Sequence, residues 1–185
     1  PYGWASVVNW TYGVQYPYAQ KGCNRWAIQG NLFDLKVYNN DTAFNPTSQT
    51  KPRTEIRIYN AQMVYGLYTY ISYFRVTCNT YAANIFQLFD TNGFPFVQLR
   101  TYDRRLYIVY TLIYNVNICT YYHHLNVTYN GDTTQYYVTV DGIMVFSSND
   151  LSLYSHEMYF KQGVYVSGPN PSAEQEIFVN DVDIL

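Results

Sequence analysis

Charged side chains are scarce in this 185-residue sequence. The 11 Lys+Arg and 13 Asp+Glu make up 13% of it, against a usual share of roughly 25%. With a net charge of −2 and no cluster of basic residues, nothing draws the chain as a whole to nucleic acid. No apolar run approaches the ~20 residues that cross a bilayer as a helix, so no membrane span is expected. The first residues hold no basic segment followed by an apolar stretch, so any secretory leader is expected to have been removed. Ten glycines and seven prolines exclude a collagen repeat, and a hydrophobic content of 48% excludes disorder. Cysteine is limited to Cys23, Cys78 and Cys119, an odd number whose spacings match no zinc pattern. One disulfide plus a free thiol is expected, with the pair left open.

Aromatic residues are what the chain has in excess, at 19%, and 23 of them are tyrosines. Tyrosine combines a flat apolar ring with a polar tip, which suits β-strands and sugar-binding surfaces alike. Three N-glycosylation sequons begin at Asn9, Asn40 and Asn126. They point to a secreted, extracellular glycoprotein.

Alternation of apolar and polar residues with a period of two dominates, and helical periodicity is nearly absent. It predicts strands over 31–38, 53–59, 67–76, 84–90, 96–102, 105–112, 125–129, 135–140, 143–147, 158–166 and 176–185. Asp141-Gly142 between two alternating runs has the form of a two-residue type I′ hairpin. Residues 90–93 and 129–132 read as further turns, and 39–51 and 167–173 as exposed loops. About eleven short strands, with neither internal repeat nor linker, predict one all-β domain over residues 1–185. The expected architecture is a β-jelly-roll sandwich of two antiparallel sheets with a polar and aromatic concave face.

Three segments carry more polar chemistry than a strand requires. In Arg53-Thr54-Glu55-Ile56-Arg57 the charged residues alternate, so they project from one face about 7 Å apart. This is either a solvated outer face or an anion-recognition row, in which Glu55 orients guanidiniums suited to planar carboxylates. In the segment 84–90, Gln87 and Phe89 share a face opposite Phe86 and Leu88. The Gln87 amide either faces solvent or donates to a ligand carboxylate. In the segment 158–166, Tyr159, Lys161, Gly163 and Tyr165 share a face. A mid-strand glycine marks close approach by a ligand or by another backbone, and a neighbouring cation favours the phenolate form of a tyrosine.

Taken together, these segments resemble polysaccharide lyase family 7, the alginate lyases, over roughly residues 31–185. The family's R-[ST]-E-[LI]-R motif reads Arg53-Thr54-Glu55-Ile56-Arg57, and its Y-F-K-x-G-x-Y motif reads Tyr159-Phe160-Lys161-Gln162-Gly163-Val164-Tyr165. The central Q-[IV]-H motif reads Gln87-Leu88-Phe89. The resemblance implies a β-jelly roll whose concave groove holds the site. It also implies β-elimination on a 1,4-linked polyuronate such as alginate, polymannuronate or glucuronan, with no metal or organic cofactor. On that resemblance Arg53 and Gln87 neutralise the substrate carboxylate, where charge builds up in an enolate-like transition state. Tyr165 is the acid that protonates the leaving O4, and in one reading also the base. Glu55, Arg57, Lys161 and Tyr159 position these groups or bind neighbouring sugars.

Phe89 departs from the pattern, since a phenyl ring neither accepts a proton nor titrates. Three outcomes follow: Tyr165 alone serves as base and acid, or His123, His124 or His156 fills the gap from another strand, or the groove binds sugar without cleaving it. The second function class is therefore a non-catalytic carbohydrate-binding or structural glycoprotein on the same scaffold. A glycoside hydrolase using Glu55 and Glu157 is a third, but no paired-carboxylate motif supports it.

Overall fold

The computed structural model describes residues 11–17, 24–45, 47, 50–59, 63, 65–149, 157–167 and 170–185. Fourteen strands and no helix occur among them, and they form two seven-stranded antiparallel sheets. Sheet A runs β1 (Thr11–Gln15), β4 (Arg53–Tyr59), β13 (Met158–Val166), β6 (Ala83–Asp90), β7 (Pro95–Tyr102), β8 (Arg105–Ile108) and β9 (Thr111–Tyr114). Sheet B runs β12 (Ile143–Asn149), β11 (Gln135–Val140), β10 (His123–Asn130), β5 (Leu67–Val76), β14 (Glu174–Ile184), β3 (Leu32–Tyr38) and β2 (Trp26–Gln29). The sheets bury one face each against the other, which is the expected all-β sandwich.

Alternation explains which face goes inside. In β4, Thr54, Ile56 and Ile58 are buried toward sheet B, and in β5 Tyr70, Ser72, Phe74 and Val76 are buried toward sheet A. The centre of the core is an aromatic trio: Tyr70 of sheet B lies 5.1 Å from Phe86 and 5.4 Å from Phe160 of sheet A. Burying a phenol requires a partner for its hydroxyl. Tyr70 finds one across the interface by donating to the Gln162 side-chain oxygen.

The Asp141-Gly142 hairpin forms as expected, with both residues at positive φ (51° and 78°). The expected disulfide is Cys78–Cys119, and Cys23 lies outside the described residues. The single strand expected over 105–112 is a correction: it is a hairpin of β8 and β9 that turns at Val109 and Tyr110. Val109 sits at φ 55°, a conformation that β-branched residues rarely adopt. No glycine, asparagine or proline announces the turn. Strands β1 and β2 are additional, being too short for their alternation to stand out.

Candidate functional site on the outer face of sheet A

The three motifs lie far apart in sequence and meet because β4, β13 and β6 are neighbours in sheet A. Register pairs Arg53 with Tyr165, Glu55 with Gly163 and Arg57 with Lys161. On the other side of β13, Lys161 pairs with Gln87, Tyr159 with Phe89 and Tyr165 with Asn84. With Ile56, Phe160 and Leu88 buried on the inner face, these polar residues share the outer one. Of the two sequence-based explanations for Gly163, approach by another backbone is the one found. A Cβ there would lie 2.3 Å from the Thr54 carbonyl oxygen and 2.5 Å from the Glu55 Cα. Glycine thus lets β4 and β13 close together under the site.

Glu55 is 1% exposed and organises the cations. Its Oε2 lies 3.7 Å from Arg53 Nη1 and 3.9 Å from Lys161 Nζ. Arg53 is stacked over Tyr165, 4.4 Å to the ring centroid, and Arg57 over Tyr159 at 4.0 Å. Lys161 Nζ stands 4.7 Å from the Phe89 ring centroid and 5.7 Å from that of Tyr159. Three cations around one carboxylate leave the face positive. Burial holds the Lys161 ammonium below its ordinary pKa; Glu55 opposes this, while Arg53 and Arg57 add to it. Burial likewise raises the Tyr159 phenol, with Arg57 opposing. Among the described residues the side-chain oxygens of Gln15 and Gln87 are buried without a hydrogen-bond partner. Buried polar groups of that kind are unusual in folded proteins and mark places where a ligand can bond.

Sequence reasoning missed Gln15, which β1 brings opposite Glu55. It also missed Asn84, which simple alternation places on the face opposite Gln87. An irregularity in the pairing between Asn84 and Phe86 buries two consecutive side chains, Ile85 and Phe86, and turns Asn84 outward. No residue type signals such a bulge. Glu157, offered for a hydrolase, lies just ahead of β13 and is half-buried.

Of the three outcomes open at Phe89, rescue by His123 or His124 is not the one found. His123 and His124 are on β10 of sheet B, not on the face that carries Tyr165. His123 is fully buried, with Nδ1 2.7 Å from Asp141 Oδ2 and Nε2 3.3 Å from the Asn117 carbonyl. His124 packs its ring 4.9 Å from that of Tyr73. His156 lies outside the described residues, as does the sequon residue Asn9. Of the other two sequons, Asn40 is exposed in the turn after β3, and Asn126 on β10 accepts a hydrogen bond from Thr128. Among the described residues no group of histidines, cysteines or carboxylates could hold a metal ion, and no helix is long and apolar enough to cross a membrane.

No protein-family model matches the chain. It is 28% identical over 164 residues to a citrate-binding protein of Hevea brasiliensis, covering 88% of this chain and 68% of that protein. An alginate lyase of Pseudomonas aeruginosa superposes with a TM-score of 0.73 at 14% identity, covering 95% of this chain and 97% of the lyase. A family 7 alginate lyase solved with a bound substrate superposes with a TM-score of 0.71 at 13% identity, covering 94% and 91%. The same lyase has also been solved with a bound product. The architecture of this chain is the β-jelly-roll fold of the family 7 alginate lyases.

Proposed function

We propose that the outer face of sheet A binds the carboxylates of a 1,4-linked polyuronate of the alginate or glucuronan type and cleaves the chain by β-elimination. The observation that carries this reading is Arg53 stacked on Tyr165, in register beside Lys161 and Gln87. Arg53, Lys161 and Gln87 take the C6 carboxylate and stabilise the charge that gathers on it as the C5–H bond breaks. The electron pair left at C5 forms the C4–C5 double bond, the C4–O4 bond breaks, and O4 leaves with a proton from Tyr165. With Phe89 in place of the motif's histidine and both His123 and His124 on the other sheet, Tyr165 also removes the C5 proton. That restricts cleavage to sugars whose C5 hydrogen and O4 lie on the same side, as in mannuronate. The lyase solved with a bound substrate supports a saccharide as the ligand. The Cys78–Cys119 disulfide and the sequons support an extracellular, oxidising setting.

The test is a lyase assay on a panel of polyuronates, read by the ultraviolet absorbance of the unsaturated product. Wild type is expected to form that product from mannuronate-rich polymer and Tyr165→Phe is not; silence from wild type on every polymer ends the lyase reading.

Two observations favour a second reading, carboxylate binding without turnover. Phe89 removes a titratable group from the motif, and the Hevea protein with 28% identity is a citrate-binding protein. Arg53, Arg57 and Lys161 around one face suit a compact polycarboxylate as well as a sugar acid. Calorimetric binding of citrate, together with no unsaturated product from any polymer, decides for this reading.

A further inference from the structure

A third guanidinium stands on the same face, outside the three motifs. Arg100 on β7 pairs in register with Asn84, Asn84 with Tyr165, and Tyr165 with Arg53. The four form one row across four adjacent strands, so three strand spacings put the backbones of the two arginines roughly 14 Å apart. Arg100 is fixed from below: its Nε donates to Asn84 Oδ1 at 2.9 Å and Nη2 to Gln98 Oε1 at 2.6 Å. Both acceptors are neutral amides, and among the described residues no carboxylate forms an ion pair with it. Its charge is therefore held in place yet left uncompensated.

Two independent observations make this a place suited to a ligand. Asn84 is 1% exposed and its oxygen is committed to Arg100, while its amide nitrogen is a buried donor with no partner among the described residues. That donor sits in the row between Tyr165 and Arg100, where an incoming carboxylate or hydroxyl oxygen would satisfy it. Beyond Arg100 the face turns aromatic. Tyr110 is 69% exposed with its ring centroid 5.4 Å from the guanidinium, and Tyr102 lies 6.4 Å from Tyr110. An exposed tyrosine beside a cation offers a flat apolar surface to the C–H face of a sugar and a positive charge to its carboxylate.

We propose that Arg100, the free amide of Asn84 and Tyr110 form a second subsite that takes another acidic sugar of the chain whose first carboxylate is held by Arg53 and Gln87. The ligand then lies across the strands, and a length that reaches both arginines binds through both. This rests on the polyuronate-binding part of the proposed function and needs no turnover.

Calorimetry with oligouronates of two and five residues, under conditions where no product forms, tests it. Wild type is expected to bind the longer oligomer at least tenfold more tightly, the gain of one more charge-assisted contact. Arg100→Gln and Tyr110→Ala are each expected to cut that gain to within about threefold, whereas Arg53→Gln weakens both oligomers. Because Tyr110 is exposed, its variant decides the matter should Arg100→Gln fail to fold, as judged by circular dichroism. A full length-dependent gain in the folded variants, or equal affinity of wild type for both oligomers, overturns the subsite and leaves the proposed function standing. No binding of either oligomer by wild type overturns the proposed function and the subsite together.

Discussion

The Arg53 guanidinium lies over the Tyr165 ring, 4.4 Å from its centroid, while its Nη1 stands 3.7 Å from Glu55 Oε2. The arginine is thus held between a carboxylate on its own strand and a phenol on the next. In the proposed function Arg53 binds charge and Tyr165 moves a proton, and register sets the two residues side by side. Tyr165→Phe keeps the stacked ring and removes the proton. It is expected to lower turnover on polymannuronate by about 10²–10⁴-fold while polymer binding stays within threefold of wild type. Steady-state kinetics beside calorimetry separates the two, and equal losses in binding and turnover would show that Tyr165 only binds.

Phe89→His puts an imidazole beside Lys161, whose Nζ is 4.7 Å from the Phe89 ring centroid. The variant is expected to raise turnover or to extend it to uronates whose C5 hydrogen lies opposite O4. Product analysis on guluronate-rich and mannuronate-rich polymers checks this. An unchanged product spectrum would show that the identity of residue 89 does not limit the reaction.

Lys161 carries a pH signature. Its folded pKa lies below the ordinary 10.5, first because of burial. Below the lowered folded value the folded and unfolded chains both carry the proton, so the full cost of burying the charge is present. As pH rises through the lowered folded value, the fold releases its proton while the unfolded chain keeps it, and stability rises until 10.5 is passed. Lys161→Met is expected to be more stable than wild type at neutral pH and to lack this alkaline rise, yet to bind uronate more weakly. Urea unfolding of both proteins from pH 7 to about 9, a unit below the pKa of about 10 at which tyrosines ionise in the unfolded chain, measures it. Equal slopes for the two proteins would contradict it.

Gly163→Ala places a methyl group 2.3 Å from the Thr54 carbonyl oxygen. Strand β4 must move away from β13, at a cost of about 1–3 kcal/mol in stability. The same movement displaces Arg53 and Glu55, so affinity for uronate should fall with stability. Thermal melts and binding isotherms of one preparation report both effects; a loss of stability alone would show that the site tolerates the shift.

Asp141 couples the two sheets. Its carboxylate accepts hydrogen bonds from the Tyr114 hydroxyl on β9 of sheet A at 2.6 Å, from His123 Nδ1 on β10 of sheet B at 2.7 Å and from the His124 amide at 2.8 Å. Burial alone would raise its pKa, but the hydrogen bonds from Tyr114, His123 and the His124 amide, with the charge interaction with His123, together outweigh burial and hold it below the ordinary 3.8. The stabilisation is present above 3.8 and is lost as pH falls through the lower folded value. Asp141→Asn is expected to lose about 1.5–3 kcal/mol at neutral pH and to converge on wild type in acid. Denaturation midpoints at neutral and acid pH test the convergence.

Within each strand, most of the site was legible. Arg53, Glu55 and Arg57 share a face, as do Tyr159, Lys161 and Tyr165, because side-chain direction in a strand follows from a period of two. The Asp141-Gly142 turn was legible for a similar reason, since its positive φ values restrict the residue types allowed. The hairpin at Val109 was not, because it turns on a residue that local preference forbids and tertiary packing imposes. Asn84 escaped for the same kind of reason: one irregular pairing reverses the face that counting assigns.

Which strands lie side by side was beyond local reading altogether. The order β4-β13-β6-β7 brings Arg53, Tyr165, Asn84 and Arg100 into one row, although the chain visits β13 long after the other three. The sequence by itself determined the all-β character, the inward and outward residue sets of most strands and the three motif segments, since each depends on neighbours along the chain. Only the tertiary structure decided strand partners and register, the exclusion of His123 and His124 from the site, and the place of Arg100 beside it. Those depend on how two apolar sheet faces cover each other, a property of the whole surface that no short segment carries.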